Sequence, residues 1–292
     1  MINCFGGVIT AMITPFKDGK VNFDALGKLI GFQIEGGADA LVILGTTGEP
    51  STMTEDEKQE TIRYAVKKAG KRIKIIVGAG SNDTAKAVAA AVKAEKLGAD
   101  GILAVTPYYN KCTQTGIYEY YKAICGAVHL PVIAYNVPSR TGVNIAPETA
   151  EKIAEINNLA GIKEASGNMA QVCETMRRIR GKCDLFSGED ALNLPILAIG
   201  GAGVISVVSN IAPKLVKQMY DYVTNGNYDK ANEVQDKLLP LIDACFIEVN
   251  PIPVKEACNI LGFDAGNPRP PLTRLEEGHK EKLLKEIKKI YG

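Results

Sequence analysis

The sequence predicts an α/β protein: a (β/α)8 TIM barrel followed by a C-terminal helical region. Three observations predict it. Short apolar, β-branched runs alternate with helix-patterned stretches eight times along the chain. The runs lack polar alternation, as strands covered on both faces do. The repeats recur every roughly 20–35 residues and fill about 225 residues, the scale of one closed barrel. A doubly wound open sheet is the alternative, but it usually has fewer strands, and neither GxGxxG nor GxxxxGK[ST] occurs here.

Taken in order, residues 7–14 form the first strand, closed by Pro15, and 23–35 a helix with apolar residues near helical spacing, ended by Gly36-Gly37. Residues 40–44 are the second strand. Thr54 with Glu57 three residues on is a capping box that opens a helix to about Ala69. The next pairs are strand 73–77 with an alanine-rich helix 82–97, strand 101–105 with helix 115–128, and strand 131–135 with helix 147–156, which has proline near its start. Strand 159–163 precedes helix 169–179, strand 184–187 precedes a short helix 191–199, and strand 203–207 precedes helix 213–223. After about Thr224 the strands stop. Residues 228–249, 254–261 and 275–291 read as helices, broken at Pro251/Pro253 and at 267–271. The division is therefore 1–224, a barrel carrying the active site, and 225–292, a helical region packed on it.

Composition narrows the function. The 292 residues are 46% apolar, ample for a large core, and the net charge is +1 without a long Lys/Arg tract. Nucleic acid and anionic membrane are poor partners for such a surface. No apolar run approaches membrane-spanning length, and the start Met1-Ile2-Asn3-Cys4-Phe5 has neither a basic nor an apolar leader region. The seven cysteines are scattered without a CxxC, which suits free thiols in a reducing cytosol. With only His129 and His279 present, histidine-based nucleophile systems and His-rich metal sites have almost nothing to use. His129 falls at the N-terminal end of its strand, where a stability role is expected.

In a barrel, functional groups come from the C-terminal strand ends. Those ends carry Thr14, Gly45-Thr46-Thr47-Gly48-Glu49, Gly78-Ala79-Gly80, Tyr108-Tyr109, Tyr135 with the loop to Gly142, Lys163, Gly188-Glu189-Asp190 and Ile205-Ser206. Lys163 ends a short apolar run. A lone lysine there is more often snorkelling or ion-paired, with Glu164 as neighbour. At a barrel mouth it can instead lose water, become partly neutral and attack a ketone. Tyr135 and Lys163 each fall at the last position of adjacent strands, about 4.8 Å apart, so phenol and amine can share a pocket. The 45–48 turn offers N–H groups and hydroxyls to a carboxylate or phosphate. Arg140 can hold a carboxylate in a forked grip. Tyr108-Tyr109 form a loop tip suited to packing, including at a subunit contact. The glycines at 200–203 precede their strand, which disfavours a phosphate site.

Three runs in order, Gly45-Thr46-Thr47-Gly48-Glu49, Tyr135-Asn136-Val137-Pro138-Ser139-Arg140-Thr141-Gly142 and Gly161-Ile162-Lys163-Glu164, resemble the pyruvate-dependent class I aldolases. That family includes dihydrodipicolinate synthase and N-acetylneuraminate lyase. The resemblance spans nearly the whole chain, and Arg140 in its motif favours the synthase branch. It implies a Schiff base between pyruvate and Lys163, condensation with L-aspartate 4-semialdehyde, no metal or organic cofactor, and a cytoplasmic homotetramer built as a dimer of dimers in diaminopimelate and lysine biosynthesis. It implies a proton relay of Tyr135, Thr46 and Tyr109, the last reaching in from a neighbouring subunit. Thr47 then matches a residue at the pyruvate carboxylate, Arg140 the residue receiving the aldehyde's carboxylate, and Gly188 and Ile205 line the site. Asn82 and Tyr108 match a lysine-inhibition site. Lys86 stands there in place of a glutamate, and Glu55 and Lys58 in place of histidines, so weak or absent feedback by lysine is expected. The competing readings are a sugar-acid aldolase or lyase, a catalytically silent barrel that senses a keto acid, and, more distantly, a phosphate-binding barrel enzyme.

Overall fold

A computed structural model describes residues 4–292; the first three residues of the stretch read for a leader lie outside them. Eight parallel strands close into a barrel: β1 (Gly7–Ala11), β2 (Ala40–Ile43), β3 (Lys74–Gly78), β4 (Gly101–Val105), β5 (Val132–Asn136), β6 (Leu159–Glu164), β7 (Asp184–Ser187) and β8 (Gly203–Ser206). Each pairs with its sequence neighbours, and β1 closes the ring between β2 and β8. Helices α1 (Phe23–Glu35), α2 (Glu55–Ala69), α3 (Thr84–Lys96), α4 (Gln114–Ala127), α5 (Pro147–Ile153), α6 (Met169–Ile179), α7 (Asn193–Ala198) and α8 (Pro213–Thr224) follow the strands in turn.

The pleat explains the absence of polar alternation. Ile9, Val42, Ile76, Leu103, Ile133 and Phe186 point into the barrel and form one buried cluster. Their neighbours Val8, Leu41, Ile75, Ile102, Val132 and Leu185 point outward under the helices and belong to a second. Both faces are dry, so both are apolar. At position 161 the packing demands glycine. A Cβ there would lie 2.6 Å from the Phe186 ring, so only glycine lets that ring fill the barrel beneath Lys163.

Several boundaries differ from expectation. β5 and β6 run one residue past Tyr135 and Lys163, because Asn136 and Glu164 continue the register as a pair. A hairpin of Phe16–Lys17 with Lys20–Val21 follows β1, and a helical turn, Pro138–Thr141, interrupts the loop after β5. The α2 capping box is present with both of its bonds. The C-terminal region is three helices, α9 (Tyr228–Cys245), α10 (Ile252–Ile260) and α11 (Glu277–Tyr291). α9 packs along α8 and stops at Cys245, four residues short of the predicted end, so that residues 246–250 cross the barrel mouth. No helix is long and apolar enough to cross a membrane among the described residues.

Candidate active site

β5 and β6 set the centre. Their register places Tyr135 beside Lys163 and Asn136 beside Glu164. Alternation along the strands turns the first pair inward and the second outward. Glu164, the expected ion-pair neighbour of Lys163, is therefore engaged elsewhere. Its carboxylate accepts from Asn136 Nδ2 at 3.0 Å and from the Ser166 N–H at 2.7 Å. Asn136 also bonds Asn144 and the Ile145 N–H, which pins the loop carrying Arg140.

Among the described residues, Lys163 is left without a carboxylate partner in contact. Its Nζ lies 4.1 Å from the centre of the Tyr135 ring. Burial pulls its pKa from 10.5 down to about 8; Arg140 lowers it further, and Asp190 and Glu189 oppose the fall. About a tenth of the amine is then neutral at pH 7. Burial raises Tyr135 to about 12, with Arg140 and the Thr46 side chain pulling it down. Tyr135 is thus a neutral phenol, able to donate and accept a proton but not to persist as phenolate. Gly188 completes the fit: a Cβ there would come within 2.8 Å of Lys163 Cε and 2.9 Å of its Cγ.

A cavity of about 180 Å³ opens over the amine, lined by Thr46, Thr47, Tyr135, Arg140, Lys163 and Gly188 among others. Thr46 and Thr47 begin the 3-10 turn after β2, Thr46–Gly48, which Thr14 ties down through its hydroxyl to the Gly48 carbonyl at 2.7 Å. Arg140 sits on the Pro138–Thr141 turn, largely exposed at the cavity rim. Ile205 does not reach the cavity, and Tyr109, expected to serve a neighbouring subunit, faces outward. Ile205 is buried below, in the interior cluster with Tyr135 and Phe186, and Val207 two residues on lines the cavity instead. Tyr109 is 89% exposed, outside its own chain's cavity, on a left-handed backbone at φ 71. Among the residues matched to a lysine site, the Asn82 carbonyl accepts from Asn110, Tyr108 is exposed, and Lys86 stands in solvent 3.9 Å from Asp83. Glu55 and Lys58 pair with each other at 2.7 Å.

The residues that sequence reasoning missed come mainly from the tail. Phe246 and Asn250 line the cavity. Asn250 Nδ2 donates to Thr47 Oγ1 at 3.0 Å, its carbonyl accepts from Arg140 Nη2 at 3.1 Å, and its buried Oδ1 has no partner among the described residues. Glu189 also faces the cavity, its carboxyl raised by burial and by Asp190. The buried carboxylate of Asp190 caps the Val207 and Val208 N–H groups at 2.8 and 2.9 Å, fixing the chain after β8. Only the strand-end position of 189 and 190 hinted at this; nothing local marked Asn250.

A closed barrel with a desolvated lysine at the end of β6, a phenol against it and hydroxyls and a guanidinium above has the equipment of a Schiff-base lyase of the class I aldolase type. The sequence profile described as the dihydrodipicolinate synthetase family matches residues 4–290, and this chain belongs to that family. A 4-hydroxy-tetrahydrodipicolinate synthase of Caldicellulosiruptor bescii is 50% identical over 292 residues, covering 100% of this chain and 98% of the relative. One of Alkaliphilus oremlandii is 51% identical over 285 residues, covering 98% of each. Among solved structures, dihydrodipicolinate synthase from Aquifex aeolicus superposes with a TM-score of 0.96 at 44% identity, covering 98% of both chains.

Proposed function

We infer that this chain condenses pyruvate with L-aspartate 4-semialdehyde to 4-hydroxy-tetrahydrodipicolinate, the first committed step toward diaminopimelate and lysine. The observation that carries the chemistry is Lys163, buried, drawn down to about 8 and seated against Tyr135. The choice of substrates is supported by full-length relatives near half identity that bear the synthase name.

Neutral Lys163 Nζ adds to the pyruvate ketone and water leaves, giving an iminium. Its positive charge acidifies the methyl group, and loss of a proton gives an enamine. The enamine carbon adds to the aldehyde, whose oxygen takes a proton. The substrate's own amine then attacks the iminium carbon, closing the ring and expelling Lys163 as free amine. Each step moves one proton over a short distance, which Tyr135 and Thr46 can relay, with Tyr109 of a neighbouring subunit as third member. Thr47 receives the pyruvate carboxylate and Arg140 the carboxylate of the aldehyde.

That role for Tyr109 implies a homo-oligomer, read here as a dimer of dimers in the cytoplasm. Lys86 places a cation where lysine would bring ammonium groups, so feedback is weak or absent; an inhibition constant for L-lysine in the micromolar range would contradict this. Substrate profiling tests the assignment: turnover is expected with aspartate semialdehyde, and preferential turnover of N-acetylneuraminate or a keto-deoxy sugar acid would replace it with a sugar-acid lyase.

A further inference from the structure

The C-terminal region meets the barrel through a buried ion pair that the chemistry above does not use. Glu49 ends the 45–49 run in the left-handed region, at φ 54. Its carboxylate and the Lys255 ammonium of α10 are 2.6 Å apart, with side chains 2% and 0% exposed. The other carboxylate oxygen accepts from the Arg269 N–H at 2.9 Å. Lys255 Nζ lies 4.0 Å from the centre of the Phe16 ring, and the Arg269 guanidinium 4.1 Å from the same ring. Burial draws Lys255 down to about 8 against the pull of Glu49.

Stability is a poor reason to keep such a pair. Desolvating two ions commonly costs as much as their attraction returns, and an apolar pair of similar volume often serves as well. Placement supplies a better one. Glu49 lies next in sequence to Gly48 and close behind Thr46 and Thr47. Lys255 stands in the helix that begins just after Asn250 and Pro251. Asn250 touches the same loop a second time, through Thr47 Oγ1, and also receives Arg140. The 45–49 loop and the start of α10 are therefore joined twice, at the rear by the ion pair and at the cavity by the amide.

We propose that the Glu49–Lys255 pair is a positioning device, fixing α10 on the 45–49 loop so that Asn250 holds Thr47 and Arg140 at the spacing the two substrate carboxylates require. It rests on the reading that Thr47 and Arg140 receive those carboxylates. Glu49 and Lys255 touch no substrate and act through Thr47 and Asn250. A directional, charged contact sets one register between loop and helix, which an apolar pair of equal volume does not impose.

The test compares the parent enzyme with the paired variant Glu49→Leu/Lys255→Met and with Asn250→Ala, by steady-state kinetics and thermal unfolding. The paired variant is expected to fold, unfolding somewhat below the parent because the Arg269 N–H loses its acceptor, while KM for both substrates rises roughly tenfold and kcat changes little. Asn250→Ala, which leaves the ion pair intact, is expected to show the same KM signature; Glu49→Gln, which removes the charge and keeps the volume, carries the test of the pair should the paired variant not fold. KM values within about twofold of the parent in any folded variant overturn the proposal. Borohydride trapping of the parent with pyruvate separates the two levels. A parent that is not trapped removes the reading of the site, whereas a trapped parent with unchanged KM in the variants removes only the positioning role.

Discussion

At Lys163 the governing quantity is the cost of keeping an ammonium out of water. The unfolded amine titrates near 10.5 and the folded one near 8, so the unfolded chain holds the proton more tightly and the folded state is disfavoured by about 3 kcal/mol at pH 7. Lys163→Met should therefore unfold later than the parent at pH 7, with a gain of that order. The gain should fade as pH rises from 8 toward 10.5, where the unfolded lysine also loses its proton; denaturant unfolding across that range checks it. The same charges set the pH limb of imine formation. Arg140 lowers the Lys163 pKa and Glu189 raises it. In borohydride trapping with pyruvate alone, Arg140→Ala should move the rising limb to higher pH and Glu189→Gln to lower pH. Shifts in the same direction would contradict this electrostatic assignment. Sequence reasoning reached Lys163, Tyr135, Thr46, Thr47, Arg140 and Gly188 because each sits at or just after a strand end, and the resemblance of the three motifs then supplied their roles. It could not see that Glu164 points away from Lys163, because that depends on β6 running one residue further. It could not find Asn250 either, which meets Thr47 across 203 residues of chain.

Among the elements, the barrel was legible because its strands are short, doubly buried and bounded by strong stop signals. Helices 23–35 and 169–179 and strands 101–105 and 184–187 have the predicted bounds. The hairpin at Phe16–Val21 was not legible, since strands of two residues carry no period. The α2 capping box was legible because both of its bonds are local: Glu57 N–H to Thr54 Oγ1 at 3.2 Å and Thr54 N–H to the Glu57 carboxylate at 2.9 Å. Thr54→Ala should cost about 1 kcal/mol in denaturant unfolding and leave the KM for pyruvate unchanged. Glu57 also grips Arg269, which holds its carboxyl down at about 2, so Glu57→Gln should cost more than the cap alone.

For the whole molecule, the C-terminal region is part of the site. It supplies Phe246 and Asn250 to the cavity and Lys255 to the buried pair. Tyr109 poses the complementary question, since it is almost wholly exposed on its own chain. If it serves a neighbour's cavity, Lys163→Ala and Tyr109→Ala chains are each nearly inactive alone, while mixed oligomers regain activity. One site in such a hybrid combines an intact Lys163 with an intact Tyr109 from the other chain. Rescue after co-refolding is the expected result, and its absence in verified hybrids would place Tyr109 outside the relay.

All of this chemistry stands on Lys163 as the nucleophile toward pyruvate. Mass spectrometry of the protein after incubation with pyruvate and borohydride reads that step without any later one. One reduced pyruvyl adduct per chain is expected, located on the peptide carrying Lys163 and absent from Lys163→Ala. An unmodified parent, or an adduct that persists in Lys163→Ala, would contradict it.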